Sequence, residues 1–339
     1  MAPSAIDTTA PVVVPVNTKL LKTAQFTSAE LETALKEKDP LPAVLSNHKE
    51  PLRLSGALDK YEAFDVTPII GREYVNVDLA ELLNAPNSDE LLRDLAITIS
   101  QRGVVFFRKQ DNLTNDLQKQ LVQRLGELTG KPENSKLHIH PIHNSISGDD
   151  VDNQISVISS AQAKKLGLAL GLNQNNTQSL RKQWHSDITF EPVPSDYTLL
   201  RMTQLPVTGG VKNNFPIYTA ERGAPENVGE LLEAVHPVIR TNPVTGWKSV
   251  FAVGSHVAHI NGLTSEESRH FLDWFVQLVV ENHDLQVRHK WHNVNDVAIW
   301  DNRSVYHAAT PDYVFQGLGE RSGSRTVGLG ERPYLDLQS

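Results

Sequence analysis

A chain of 339 residues with 39% hydrophobic and 21% charged residues has the composition of a globular protein of one large or two ordinary domains. Its formal net charge of −8 argues against a nucleic-acid partner, and the absence of cysteine excludes disulfides, thiolate-bound zinc, iron–sulfur clusters and a thiol nucleophile. No basic leader precedes an apolar run and no stretch has the length of a bilayer span, so a cytoplasmic protein without a membrane partner is expected.

Residues 1–60 read as an N-terminal arm. Pro11, Pro15, Pro40, Pro42 and Pro51 punctuate it, and only 28–36 carries a helical pattern; its start is expected to be mobile and the rest to wrap the surface. Residues 61–339 form the main domain. Val75-Asn76-Val77-Asp78 alternates like a short strand. Residues 88–102 place Leu91, Leu92, Leu95 and Ile97 near helical spacing, with Gly103 as the stop, and 104–107 follow as a buried strand. A second helix is expected at 114–128, with Leu117, Leu121 and Leu125 on one face. The polar run 171–178 reads as a loop.

From Gln154 onward the pattern turns to short β-branched runs: 155–158, 198–205, 238–241, 249–253, 297–300 and 326–329, with a hairpin turn at Val244-Thr245-Gly246. One late helix interrupts them. Thr264 is its expected N-cap, Glu267 completes a capping box, and Phe271, Phe275 and Leu278 form its apolar stripe. The pattern as a whole predicts a mainly β fold, a β core with flanking helices.

The chemistry concentrates in Trp184-His185-Ser186-Asp187. On an extended segment, residues i and i+2 share a face, so H-x-D aims one imidazole and one carboxylate at one point. Two His and one carboxylate on one face of a metal leave positions open for substrate and O₂. H-x-D alone is weak: a local hydrogen-bonded pair is the commoner meaning. Three features add weight. An apolar run, Val297 to Trp300, ends in Asp301-Asn302-Arg303, and His307 follows where a distant third ligand would be delivered. Arg321 and Arg325, four apart at the start of the last strand, suit two anionic ligands through the guanidinium fork. Leu137-His138-Ile139-His140 sets two His on one side; alone it reads as a zinc fragment or a core pair.

These pieces resemble the taurine dioxygenase family of Fe(II)/2-oxoglutarate-dependent enzymes, especially its fungal sulfonate-dioxygenase-like members. The matching segments are Val104 to Arg108, Gly126-Glu127-Leu128, Leu137 to Pro141, Trp184 to Phe190, Leu205-Pro206 with Thr208-Gly209-Gly210, His236 to Thr241, Ile299 to Arg303, and Arg321 to Arg325, in family order. The resemblance implies a double-stranded β-helix (jelly roll) with Fe(II), 2-oxoglutarate and O₂ as the reacting partners. It implies that His185, Asp187 and His307 bind the metal, and that Arg321 takes the distal carboxylate of 2-oxoglutarate. Arg325 with His140 would hold an anionic group of the substrate, and Ile188, Phe190 and Phe251 would line its pocket, although core packing explains Phe190 and Phe251 equally well.

The implied reaction is oxidation of a small anionic organic substrate. A sulfonate such as taurine, with sulfite release, is the first reading. Oxidation or oxidative cyclisation of an amino acid or other small carboxylate in a fungal biosynthetic pathway is the alternative. A homo-oligomer is compatible with either. A non-catalytic jelly roll is argued against by the intact ligand set, and a zinc hydrolase using His138, His140 and His185 lacks a matched general base and leaves the arginines without purpose. One departure stands out: after Gly210 the family continues with an acidic residue and a Thr that is its second 2-oxoglutarate contact, whereas this chain runs into Val211-Lys212-Asn213-Asn214. Omission of a segment from the sequence, rather than true deletion, is expected there.

Overall fold

The computed structural model describes residues 15–19, 44–45, 49–142, 152–159, 181, 183–204, 217–310 and 321–339. The helical pattern at 28–36, the loop at 171–178 and the Gly210–Val211 join lie outside the described residues.

The order of elements is β1 (Pro15–Lys19), β2 (Val44–Leu45), β3 (Ala63–Asp65), β4 (Arg72–Tyr74), α1 (Leu79–Asn84), α2 (Ser88–Arg102), β5 (Val104–Phe107), α3 (Asn115–Glu127), β6 (Ser156–Ser159) and β7 (Ser195–Gln204). Then come β8 (Glu233–Pro237), β9 (Ile239–Thr241), β10 (Lys248–Val250), β11 (Val257–Ile260), α4 (Ser265–Glu281), β12 (Val297–Asp301), β13 (Ser322–Leu329) and β14 (Leu335–Asp336). The main sheet has seven strands in the order β3-β4-β5-β12-β7-β13-β6. Its pairs are antiparallel except β4 with β5.

Period-2 alternation gives this sheet two different faces. Val105, Phe107, Leu199, Val297 and Ile299 meet Leu91, Leu95, Leu121 and Leu125 of α2 and α3 in one apolar cluster. Val104, Phe106, Ala298 and Trp300 point the other way into a smaller one. Thr198 is the register partner of both Trp300 and Val327, and Leu200 is that of Arg325, so Thr198 and Arg325 lie on the face away from the helices. That face carries the site described below.

Local signals set the element ends. Gly103, at φ 73, takes the left-handed conformation that stops α2 and turns the chain into β5. Thr114 caps α3 by accepting from Leu117 N, and Thr264 and Glu267 make the expected reciprocal box at α4. Val244 to Gly246 forms the turn that joins β9 to β10.

Three expectations need correction. Residues 75–78 are not a strand: Asn76 has φ 54, which breaks the extended run, and Asp78 caps α1 by accepting from Ala80 N and Glu81 N. The strand lies just upstream, at β4. In α4, Phe271 and Leu278 are exposed; Phe275 is buried, and Leu272, Val276 and Val279 pack with it against Val238, Val253 and Ile260. The buried face is therefore rotated from the expected stripe. The arm is not only a surface wrap, since β1 runs between β8 and β11 as the middle strand of a three-stranded sheet, and β2 pairs with β14.

His236 on β8 is a buried imidazole whose Nε2 lies 2.9 Å from Thr189 O. Burial pushes its pKa down to about 3. The unfolded chain therefore takes up a proton below about pH 6.5 that the folded chain refuses, and stability is lost as pH falls from there toward 3. Replacing His236 with Gln should flatten the pH dependence of unfolding free energy by up to about 1.4 kcal/mol per pH unit below pH 6. Denaturant titrations of both proteins at pH 7, 6 and 5 check this; parallel pH profiles would show that another group sets the slope.

Candidate metal centre

His185 and His307 face each other across an isolated antiparallel bridge. His185 N donates to His307 O at 3.0 Å and His307 N donates to His185 O at 2.9 Å. Directly opposed residues that exchange both bonds hold their Cα atoms about 5.5 Å apart. The rings lie 4.3 Å apart between centroids. Asp187, two residues beyond His185, brings its carboxylate to the same place, with Oδ1 at 3.7 Å from His307 Nε2. One ligating atom from each of His185, Asp187 and His307 lies within 4.8 Å of the other two. Donors bound to one ion at about 2.0–2.2 Å stand about 3 to 4.4 Å apart, so small side-chain adjustments suffice for a shared metal.

The ligand atoms are prepared for this. His185 Nδ1 is 2.8 Å from Gln183 O, which leaves Nε2 as the lone-pair nitrogen. Burial pushes the His307 pKa down to about 3, so its imidazole is neutral at physiological pH, and its Nδ1 is buried without a hydrogen-bond partner. Burial alone would raise Asp187, but the charge of Arg325 and the two neighbouring imidazoles hold it well below the usual carboxylate range. A donor set of two imidazoles and one carboxylate suits mononuclear non-haem Fe(II).

Asn302, at the end of β12, organises the segment. Its Oδ1 accepts from Asp187 N at 3.0 Å and Trp300 Nε1 at 3.2 Å. Its Nδ2 donates to Ser195 Oγ and Thr198 Oγ1, each at 2.8 Å, and its backbone O accepts from Ser186 Oγ. Thr198 Oγ1 in turn donates to Asp187 Oδ2 at 3.1 Å. Asp301 folds the following turn by accepting from Arg303 N and Arg303 Nε.

The remaining sequence-derived residues are placed as follows. Arg325 donates to Asp187 Oδ1 at 2.7 Å through Nη1, while its Nε is buried without a partner. The first anion it meets is thus the ligand carboxylate. Arg321 is half-buried immediately before β13. Phe190 is buried, and its ring stands edge-on to His140 at 6.4 Å. Ile188 is buried at φ 47, a left-handed conformation uncommon for a β-branched residue. Phe251 is buried, packed between His236 and the Arg240 guanidinium.

His138 does not reach the metal ligands. Its Nε2 lies 3.3 Å from Glu191 Oε1, and Glu191 is gripped by Arg222 through both oxygens, all three side chains being buried. Sequence reasoning missed Glu191, Arg222, Thr198 and His256. His256 lies with its ring centre 5.7 Å from that of His185 and 5.7 Å from that of Phe190. Only the position of Asn302, just ahead of a ligand His, hinted at its part.

Asn302→Ala removes an acceptor and two donors from buried groups. It should loosen Co(II) or Mn(II) binding by about ten- to a hundred-fold, the range for lost supporting contacts of metal ligands. Metal titration with a melting curve on the same sample checks this; undiminished affinity in a folded variant would show that Asp187 needs no such support.

Among the described residues no helix is long and apolar enough to cross a membrane. The sequence profile of the taurine catabolism dioxygenase TauD, TfdA family matches residues 62–220 and 216–327, two stretches that meet just past the Gly210–Val211 join. The alpha-ketoglutarate-dependent dioxygenase btcD of Neocamarosporium betae is 47% identical, the match covering 86% of this chain and 97% of that protein. The corresponding dioxygenase esdpJ of Penicillium shearii is 41% identical over 87% of this chain and 96% of its own. An alpha-ketoglutarate-dependent sulfonate dioxygenase of Saccharomyces cerevisiae is 27% identical over 80% of this chain and 68% of its own. Among solved structures, a taurine dioxygenase from Burkholderia xenovorans superposes with a TM-score of 0.55 at 22% identity, covering 80% of this chain and 90% of that one. With a family profile spanning most of its length and relatives this close over nearly their whole chains, the protein belongs to the TauD/TfdA family and is an Fe(II)- and 2-oxoglutarate-dependent dioxygenase.

Proposed function

We propose that His185, Asp187 and His307 hold Fe(II), that Arg321 takes the distal carboxylate of 2-oxoglutarate, and that Arg325 with His140 holds the anionic group of a small organic acid that the enzyme oxidises. The observation that carries the substrate half is the state of Arg325. It spends one N–H on Asp187, and its Nε–H is buried with no partner. An unsatisfied buried donor costs about 1–3 kcal/mol, which an anion in the fork would recover. On this reading residues 61–339 are the dioxygenase domain, 1–60 its arm, and the main sheet one wall of a double-stranded β-helix.

With 2-oxoglutarate and iron bound, the metal supplies the O₂ chemistry that oxidises the substrate while the cosubstrate becomes succinate and CO₂. The chain's own contribution is position and charge. The His185–His307 bridge and Asn302 fix the ligands, Arg325 orients the acid, and the buried Ile188 and Phe190 keep water from one side of it.

A sulfonate such as taurine and a small carboxylate would both suit a guanidinium fork. The relatives at 41–47% identity are named as dioxygenases without a substrate, and two named for sulfonates are each 27% identical. The carboxylate reading, including oxidative cyclisation, therefore stands beside the sulfonate one. Succinate formation measured with a panel of sulfonates and carboxylates, together with sulfite release, separates them. No stimulation by any member would remove the small-acid reading.

Two variants test the assignments. Arg321→Ala should raise the 2-oxoglutarate concentration for half-maximal turnover by about ten- to a hundred-fold, the worth of a charge-assisted bond, with little change in the KM of the acid. Arg325→Lys keeps the charge and loses the fork, so it should weaken the acid and not 2-oxoglutarate. The opposite pairing of effects would exchange the two arginines.

A further inference from the structure

The loop between β10 and β11 lies directly on the ligand-bearing segment. Gly254, at φ +113, makes this possible: a Cβ there would stand 2.7 Å from Trp184 O and 3.0 Å from His185 Cα. No side chain fits, and the close approach fixes where the next residues lead. Two positions on, His256 is half-buried, with its ring beside both His185 and Phe190. Phe190 is thus flanked by two imidazoles, His140 and His256, and His256 is the one next to the metal ligand.

His256 Nδ1 lies 3.2 Å from Thr189 Oγ1, a contact that anchors the ring. Its Nε2 makes no hydrogen bond to the described residues. Packing against Phe190 needs no nitrogen at this position, since a phenyl ring would fill the same edge-on contact without a polar group to desolvate. A nitrogen left available beside a metal centre serves whatever binds there.

We infer that His256 is a substrate-binding residue whose imidazole hydrogen-bonds an uncharged polar group, a hydroxyl or an amide, carried by the acid that the site oxidises. This deepens the proposed function and rests on its small-acid reading. Depending on its tautomer, Nε2 donates or accepts, and a hydroxyl or an amide matches either case. An ammonium group is the poorer match, because Arg325 and a divalent metal already place positive charge at the site. His140 and Arg325 then read the anionic end of the substrate, and His256 reads a second feature close to the metal.

Isosteric pairs of acids test this: 2-hydroxyethanesulfonate against 1-propanesulfonate, and 3-hydroxypropionate against butyrate, with taurine and β-alanine as the ammonium members. The readout is kcat/KM from succinate formation in wild type, His256→Phe and His256→Gln. Wild type should prefer the hydroxy acids, and His256→Phe should shrink that preference by about three- to ten-fold, the worth of one hydrogen bond. His256→Gln should keep part of it, and it carries the comparison if the Phe variant does not fold. The KM for 2-oxoglutarate and the Co(II) affinity should stay unchanged, which a general disturbance of the site would not allow. An unchanged hydroxyl preference in the variants, or a wild-type preference for the ammonium acids, overturns the inference and leaves the small-acid reading standing. If none of the acids stimulates turnover in wild type, the small-acid reading falls and this inference falls with it.

Discussion

Two reciprocal backbone hydrogen bonds between His185 and His307 hold the centre together. An H-x-D segment can put only two donors on one side; the third must come from a distant part of the chain and arrive within a few tenths of an ångström. Backbone pairing does this more rigidly than side-chain contact, because the exchanged bonds fix separation and direction together. The supporting structure serves that pairing. β12 is buried along its whole length between β5 and β7, so its C-terminal end is a fixed point. Asp301 closes the turn on Arg303, and Asn302 reaches across to Asp187 N, Ser195 and Thr198. His307 follows from a chain that has little freedom left.

Asp301, Glu191 and Asp187 are buried carboxylates that each meet an arginine, and these pairs are not equivalent. Asp301 with Arg303 and Glu191 with Arg222 are closed: both carboxylate oxygens are engaged and the side chains are 0–1% exposed. Breaking such a pair by removing one partner costs about 3–5 kcal/mol, so these arginines are committed to structure. Asp187 with Arg325 is open. A single N–H is used, the guanidinium side chain is 12% exposed, and Nε is unpaired. The same residue types thus separate, by completeness of pairing, into those that hold the fold and the one with capacity left for a ligand.

Much of this was legible in the sequence. Residues 88–102, 104–107 and 297–300 carry strong periodicity between clear stops, and His185 and Asp187 stand in a spacing that the geometry of an extended segment interprets directly. Where local conformation overrode pattern, the reading failed. Val75-Asn76-Val77-Asp78 alternates like a strand, yet Asn76 turns left-handed and Asp78 caps a helix. In α4 several apolar residues compete for the inner face, and only the neighbouring strands decide that Phe275 with Leu272 and Val279 wins over Phe271 and Leu278. The closed Glu191–Arg222 pair was invisible because nothing local joins residues 191 and 222. His256 was hidden because its nearness to His185 depends on a glycine that lets two backbones touch.

Charge at the site comes from few groups. Burial pushes His307 down to about 3 and His256 to about 4, so both rings are neutral at physiological pH. They act as donors, acceptors and ligands and add no charge. Asp187 contributes one negative charge and Arg325 one positive, so a divalent metal leaves the centre positive, and Arg321 on its proposed assignment adds to that. With Asp187 buried and Arg325 nearly so, this excess is not well screened. A dianionic cosubstrate relieves most of it, and on the proposed reading a substrate with one further anion would relieve the rest. The protonated form of any buried imidazole would undo the balance. On the proposed assignment the metal and the two arginines, not the imidazoles, favour anions at the site, and within that class uncharged hydrogen-bonding groups such as the His256 ring are what remain to tell one acid from another.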